Sequence, residues 1–516
     1  MAFAKDFVWG AASSAYQTEG SPRADGGGES IWDVFCRRPG AVADGFDGSA
    51  ATDAYRRYEE DIACAAQMGL GAYRFSVSWA RVDPYGDGRW NGEGFAFYLR
   101  MLQACRAAGL EPYVTLYHWE LPQALEDAGG WRSRETARAF ARYAAEAARR
   151  FSGLAENYIT LNEPECTVKL GHGTGVHAPG LRLPEARQLL VLHHQLLAHG
   201  LAAAAIRETC PGVRVGIAAT GRLCWPGTDS PADVEAACSA TFATPDSDWA
   251  FTYQMVLDPV CFGHYPENCG PGLRRMTAAL PAEDLAVIHI RPDFIGLNIY
   301  NGHAVCAGTG KRPVYVPRPR GCAVTALKWP VTPLVMNWGV RFLWQRYGRP
   351  IYITENGQSC NDRIFLDGRV HDPDRIDFLH RYLLALRAAA EGGADVRGYF
   401  HWALTDNFEW SEGYRERFGL VYIDYVTGAR IPKDSAAWYA ETHGMQAAEY
   451  PRQPGKEPDA GGILRFHAGP VCVRCAFRAR TGRRSVNVAP PPGVSVRRIS
   501  PPCSAASSCA TERPSP

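Results

Sequence analysis

The sequence has almost no excess charge of either sign. Across 516 residues, 55 Lys and Arg stand against 54 Asp and Glu, a net charge of +1. Whole-chain charge therefore argues neither for a nucleic-acid partner nor for a membrane surface. The sequence also lacks an uninterrupted apolar run long enough to span a bilayer. Its start, MAFAKDFVWGAASSAYQTEG, shows no charged n-region followed by an apolar h-region. A cytoplasmic protein is the expectation. Cysteine is plentiful at 16, but regular spacing is missing, and twelve of them are scattered through 1–451. Reduced thiols fit better than a disulfide framework. The one close CxxC, Cys472 and Cys475, has no His pair after it at zinc-finger spacing. No metal site is expected there.

What is present falls into two parts. The chain is 46% hydrophobic, enough for a large core. Its length suits one large α/β barrel with an extra piece. Short apolar segments alternate with longer amphipathic ones through the first 445 residues or so. Strands are predicted at 8–13, 72–77, 112–117, 158–162, 214–219, 293–298, 351–354 and 398–404. Helices are predicted between them, for instance over 134–151 and 374–392. In the second of these, Ile376, Leu379, Leu383 and Leu386 recur at helical spacing, which predicts one buried face. Eight strands alternating with helices point to parallel βα units. The predicted fold is a (β/α)8 barrel over 1–450. After that the character changes. Residues 451–516 are rich in Pro, Ser, Gly and Arg and end PPCSAASSCATERPSP. Such a composition cannot offset the entropy of ordering a chain, so a disordered basic tail is expected. Residues 452–516 carry eleven Lys/Arg and three Asp/Glu, which leaves 44 basic and 51 acidic residues in 1–451.

Polar residues cluster just past the strand ends, where a barrel of this kind builds its active site. Glu163 follows YITLN and precedes Pro164, which disfavours helix at Glu163. Glu355 follows IYIT and precedes Asn356-Gly357, a pair that tolerates positive φ. Two facing carboxyls are what glycoside hydrolysis uses, one as acid/base and the other as nucleophile or base. A single Glu at a strand end is more often a cap or an ion-pair member. The neighbours favour a sugar pocket: Gln17, His118, Trp119, Asn162, Asn298, Tyr300, Trp402, Glu409 and Trp410 all sit near strand ends. A Trp face packs on a sugar ring while its N–H donates a hydrogen bond. Arg74, a cation in the apolar strand YRFSVSW, would keep Glu355 ionised, and Tyr300 would donate to the same carboxylate.

These residues carry a resemblance. The chain resembles glycoside hydrolase family 1, the β-glucosidases and their relatives, from FVWGAASSAYQTEG to KDSAAWYAETHG. The match passes through GESIWDVF, YRFSVSW, VTLYHWELPQAL, TLNEPE, GVHAPG, DFIGLNIY, VMNWGV, PIYITENG and DNFEWSEGYRERFGLVYIDY. The resemblance implies that Glu163 is the acid/base and Glu355 the nucleophile of a retaining reaction. The two carboxyls are then expected about 5–5.5 Å apart. It implies glycone binding by Gln17, His118, Asn162, Trp402, Glu409 and Trp410. It implies a small β-glucoside or oligosaccharide substrate and no metal or organic cofactor. Trp329 resembles an aglycone platform, with loop packing as the alternative.

The sequence departs from the family pattern in three places. Glu165 stands where Trp is usual after NEP, and it is expected to put an extra negative charge near the pocket mouth. Glu120 gives HWE in place of HWD or HFD. Asn298-Ile299-Tyr300 replaces NYY. The alternatives to a β-glucosidase are a 6-phospho-β-glucosidase, a transglycosidase and a non-catalytic sugar-binding relative. Glu409 argues against the first because a carboxylate repels phosphate. The retained glutamates argue against the last.

Overall fold

A computed structural model describes residues 3–444. The expected tail over 451–516 lies outside the described residues.

Eight parallel strands close into a barrel. They are β1 (Val8–Ala12), β2 (Ala72–Ser76), β3 (Glu111–Tyr117), β4 (Asn157–Asn162), β5 (Arg214–Ala219), β6 (Phe294–Asn298), β7 (Ile351–Asn356) and β8 (Val396–Trp402). Each pairs with its neighbour in chain order, and β8 closes on β1 with Val8 opposite Gly398 and Ala12 opposite Trp402. This is the (β/α)8 architecture that the alternating pattern predicted.

The inner face of the barrel is filled, as such barrels require. Tyr113, Phe294, Tyr352 and Phe400 meet beneath the strand ends, with Tyr113 and Phe400 rings 4.8 Å apart and Phe294 and Tyr352 rings 5.1 Å apart. These large rings face small residues. A Cβ at Gly10 would sit 2.6 Å from the Phe400 ring, so glycine is required there by close approach. The aromatic plug forms the floor on which the site rests.

Helices cover the outside. The helix Arg134–Phe151 buries Phe140, Tyr143, Ala144, Ala147 and Phe151 on one face. The helix Pro373–Glu391 buries Phe378, Leu379, Tyr382, Leu383 and Leu386. Ile376, predicted on that face, is half-buried at its edge, and Arg375 takes the inner position instead. The helix Glu185–Thr209 qualifies the membrane expectation. It is long and apolar enough to cross a bilayer by length and composition, and 78% of its apolar window is buried inside the protein. Its three buried histidines have protein partners: His193 with Asp284 and Tyr265, His194 with the Trp131 carbonyl, His199 with Thr160. Such pairing is what a core helix needs.

Candidate active site

The C-terminal ends of the strands surround a cavity of about 440 Å3. Ten of the thirteen predicted site residues line it: His118, Trp119, Glu163, Asn298, Tyr300, Trp329, Glu355, Trp402, Glu409 and Trp410. Arg74, Gln17 and Asn162 stand buried behind the wall.

Glu163 follows β4 and adopts the left-handed conformation, with φ 46°. Pro164, fixed at the first position of the short helix Pro164–Cys166, forbids the ordinary helical approach. Trp119 and Trp410, also on the cavity wall, have φ 77° and 48°. Strain of this kind costs about 1–3 kcal/mol per residue and collects at functional sites. Glu355 lies inside β7, which runs on to Asn356 with its register shifted between Ile353 and Glu355. Such irregularities re-aim side chains at barrel rims. The Asn-Gly pair does not make the positive-φ turn that its sequence suggests. A Cβ on Gly357 would collide with the Trp402 carbonyl oxygen, so glycine stands there for space.

The two carboxyls have different partners. Arg74 Nη1 donates to Glu355 Oε1 at 2.7 Å, and the Tyr300 hydroxyl donates to Oε2 at 2.8 Å. Arg74 also reaches the Thr354 carbonyl, Asn162 and Thr115, which fixes the guanidinium in place. Glu163 receives Asn298 Nδ2 on Oε1 at 2.8 Å and meets the Cys166 thiol at Oε2. Burial raises both carboxyls above the usual range. The guanidinium and the phenol pull Glu355 back down. The Glu355 charge pushes Glu163 further up, to about 7. Glu355 therefore ionises first, and Glu163 keeps its proton.

The rest of the wall is aromatic and acidic. His118 stacks between Trp402 and Trp410, with ring centres 5.6 and 6.1 Å away. Burial, then Arg74, hold His118 well below its ordinary pKa, so it is neutral. Its Nε2 meets Asn162 Nδ2 and therefore accepts. Trp119 donates Nε1–H to the Asn162 carbonyl. Gln17 donates Nε2–H to the Phe408 carbonyl and to Glu409. Glu409 is half-buried, and burial, then Glu355 and Glu416, push it up to about 8. Trp329 is half-buried on the wall, edge-on to Tyr300 at 5.2 Å.

One expectation is corrected. Glu165 adds no charge at the mouth: it is fully buried, does not line the cavity, and accepts from the Thr220 backbone at 3.3 Å. Burial holds it well above the usual range and thus neutral. Glu120 is likewise buried, and burial, then Glu19, raise it to about 8. Among the described residues no group of three His, Cys, Asp or Glu is placed to hold a metal ion.

The model of glycosyl hydrolase family 1 matches residues 1–447. The chain belongs to glycosyl hydrolase family 1. Among its relatives, β-glucosidase A of Thermotoga maritima is 40% identical over 439 residues, covering 85% of this chain and 97% of that protein. The β-glucosidase of an Agrobacterium species is 41% identical, covering 85% and 94%. The solved Thermotoga maritima β-glucosidase in complex with glucoimidazole superposes with a TM-score of 0.77 at 40% identity, covering 86% of this chain and 99% of that one. The same enzyme is also solved with galacto-hydroximolactam.

Sequence reasoning passed over part of this family member's cavity. Cys166, Leu170, His177, Phe251, Leu327 and Phe418 line it as well. Leu170 lies in a π-helical turn over Thr167–Thr174, a form that no hydrophobic period announces. Cys166 was discoverable: it stands three residues after Glu163, one helical turn on.

Proposed function

We propose that this chain is a retaining β-glucosidase that removes terminal non-reducing β-D-glucosyl residues by double displacement. One observation carries the reading. Two buried glutamates share one cavity, and Arg74 and Tyr300 clamp Glu355 while, among the described residues, no cation bonds Glu163. Glu355, ionised, attacks the anomeric carbon as Glu163 protonates the departing oxygen. The C1–O bond breaks and an ester to Glu355 forms. That ester removes the charge that raised Glu163, which then accepts a proton from the attacking water. His118, Asn162, Trp402, Glu409 and Trp410 hold the glycone, with Gln17 supporting Glu409. Trp119 supports Asn162 in turn. Trp329 and Leu327 flank the leaving group. The names of the Thermotoga and Agrobacterium relatives support the glucoside reading. The Thermotoga complex with a galacto-configured inhibitor supports β-galactosides, and with them β-fucosides, as further substrates.

A 6-phospho-glucoside fits less well. Glu409 has Glu412 and Glu416 beside it, so a phosphate would meet carboxylates. The test is turnover of four nitrophenyl substrates: β-glucoside, β-galactoside, β-fucoside and β-glucoside 6-phosphate. Turnover of the three neutral sugars, glucose foremost, is expected. Turnover of the phosphorylated sugar alone would sink the reading.

A further inference from the structure

The steps above leave one neighbour of Glu163 unused, the Cys166 thiol. Its sulfur lies 3.0 Å from Glu163 Oε2. Cys166 is 7% exposed and faces the same cavity. The other carboxyl oxygen, Oε1, accepts from the Asn298 amide. An amide N–H can only donate, so Oε1 is held as acceptor and the acid proton sits on Oε2. Among the described residues no other protein donor bonds Oε2. The S–H donates to Oε2, and this contact is weak while Oε2 carries the acid proton. Once the proton has gone, Oε2 is an anion and the S–H donation to it strengthens.

We propose that Cys166 is a positioning residue, its S–H donating to Oε2 of Glu163 and steadying that oxygen as the base of the second step. This rests on the acid/base reading of Glu163. The other groups facing Glu163 act around it. Glu355 opposes its ionisation, Arg74 and the Asn298 amide favour it, Glu165 and Glu409 are themselves pushed up by burial, and Tyr253 and Tyr300 stay protonated. Burial and the Glu163 charge keep the thiol protonated, so it donates a hydrogen bond and does not transfer its proton.

Full-length Cys166→Val and Cys166→Ser variants test this with dinitrophenyl β-glucoside. That leaving group needs little acid help, so kcat/KM reports attack by Glu355, and kcat reports the base-assisted second step. Cys166→Val is expected to lower kcat about tenfold, the scale of one hydrogen bond to a charged group. It should leave kcat/KM within about twofold and move the alkaline limb with nitrophenyl β-glucoside to higher pH. Cys166→Ser keeps a donor and should restore kcat to near the parent value. Equal losses in kcat and kcat/KM, or no loss at all, would overturn the proposal. A second arm is independent of turnover. Iodoacetamide labelling of Cys166 at pH 9, read by peptide mass, should speed up about fivefold or more in Glu163→Gln, since the opposing carboxylate is gone. Unchanged labelling would refute the contact. Failure of azide to rescue Glu163→Ala would instead refute the acid/base reading, and the labelling result would still stand as a measure of the contact.

Discussion

Tyr300 and Arg74 each hold one oxygen of Glu355, and their removal should not have equal consequences. Arg74 is wholly buried and bonds three further groups, so its loss would disturb the barrel itself. Tyr300→Phe removes one hydroxyl and keeps the ring beside Trp329. The phenol lowers the Glu355 pKa, so its loss should move the acid limb of kcat/KM to higher pH. A fall of about 10–100-fold in kcat/KM with little change in melting temperature is expected. An unmoved acid limb would show that the phenol does not act on Glu355. Glu355→Gly should abolish hydrolysis, and azide should rescue Glu163→Ala as a β-glycosyl azide; an α-azide would contradict retention. Glu120 gives a stability test with the opposite pH sense. Its folded pKa is raised to about 8, so its neutral form suits the fold. Below the unfolded Glu pKa of about 4.3, both states are protonated. Between there and about 8 the unfolded chain ionises while the folded one does not, and stability falls as pH rises. Glu120→Gln removes that dependence. It should raise the melting temperature at pH 8 by about 2 °C or more, relative to any change at pH 4, in paired thermal scans.

The eight barrel strands were legible in the sequence because each is a short apolar run set between longer helical segments. All eight end within two residues of their predicted limits at the site-bearing side. β8 stops early, at Trp402, because Ala403 and Leu404 leave to bond Phe418 and Ala12. Elements outside the barrel were not legible. The three-stranded patch Cys224–Pro226, His303–Ala307 and Pro313–Tyr315 has strands too short to show a period. The hairpin Val421–Ile423 with Arg430–Pro432 is equally brief. That hairpin helps hold the loop carrying Glu409 and Trp410, and its fastening is ionic. Lys433 Nζ bonds Asp362 and Asp406 at 2.6 Å each, and Arg417 also bonds Asp406 at 2.6 Å. All three of Lys433, Asp362 and Asp406 are almost fully buried. Charge pairs separated by tens of residues leave no trace in periodicity, so this cluster could only come from the fold. Lys433→Met strips two buried carboxylates of a cation, a loss on the order of 3 kcal/mol. Urea unfolding should show it. KM should rise with it, since Asp406 anchors the start of the glycone loop. A normal KM in a destabilised variant would separate the cluster from the site.

At the scale of the whole chain, the charge distribution separates what the site needs from what it does not. The family match spans 1–447, and every residue assigned a part in the chemistry lies between Gln17 and Phe418. The segment 452–516 carries eleven basic and three acidic residues, a surplus of +8, against 44 basic and 51 acidic residues before it, a surplus of −7. Deleting 452–516 therefore changes the net charge from +1 to −7. The ionised carboxylate of the cavity, Glu355, is already paired with Arg74, so a change in net charge has little leverage on a neutral sugar. At physiological salt, charges more than about 8 Å away through solvent are largely screened. The truncated chain should keep kcat/KM for nitrophenyl β-glucoside within about twofold at that salt. Its elution from an anion exchanger should shift strongly, which shows that the charge was in fact removed. Retention of activity would place the whole reaction in the barrel. A large loss of kcat/KM, with the melting temperature unchanged, would mean that residues beyond the family match reach the site.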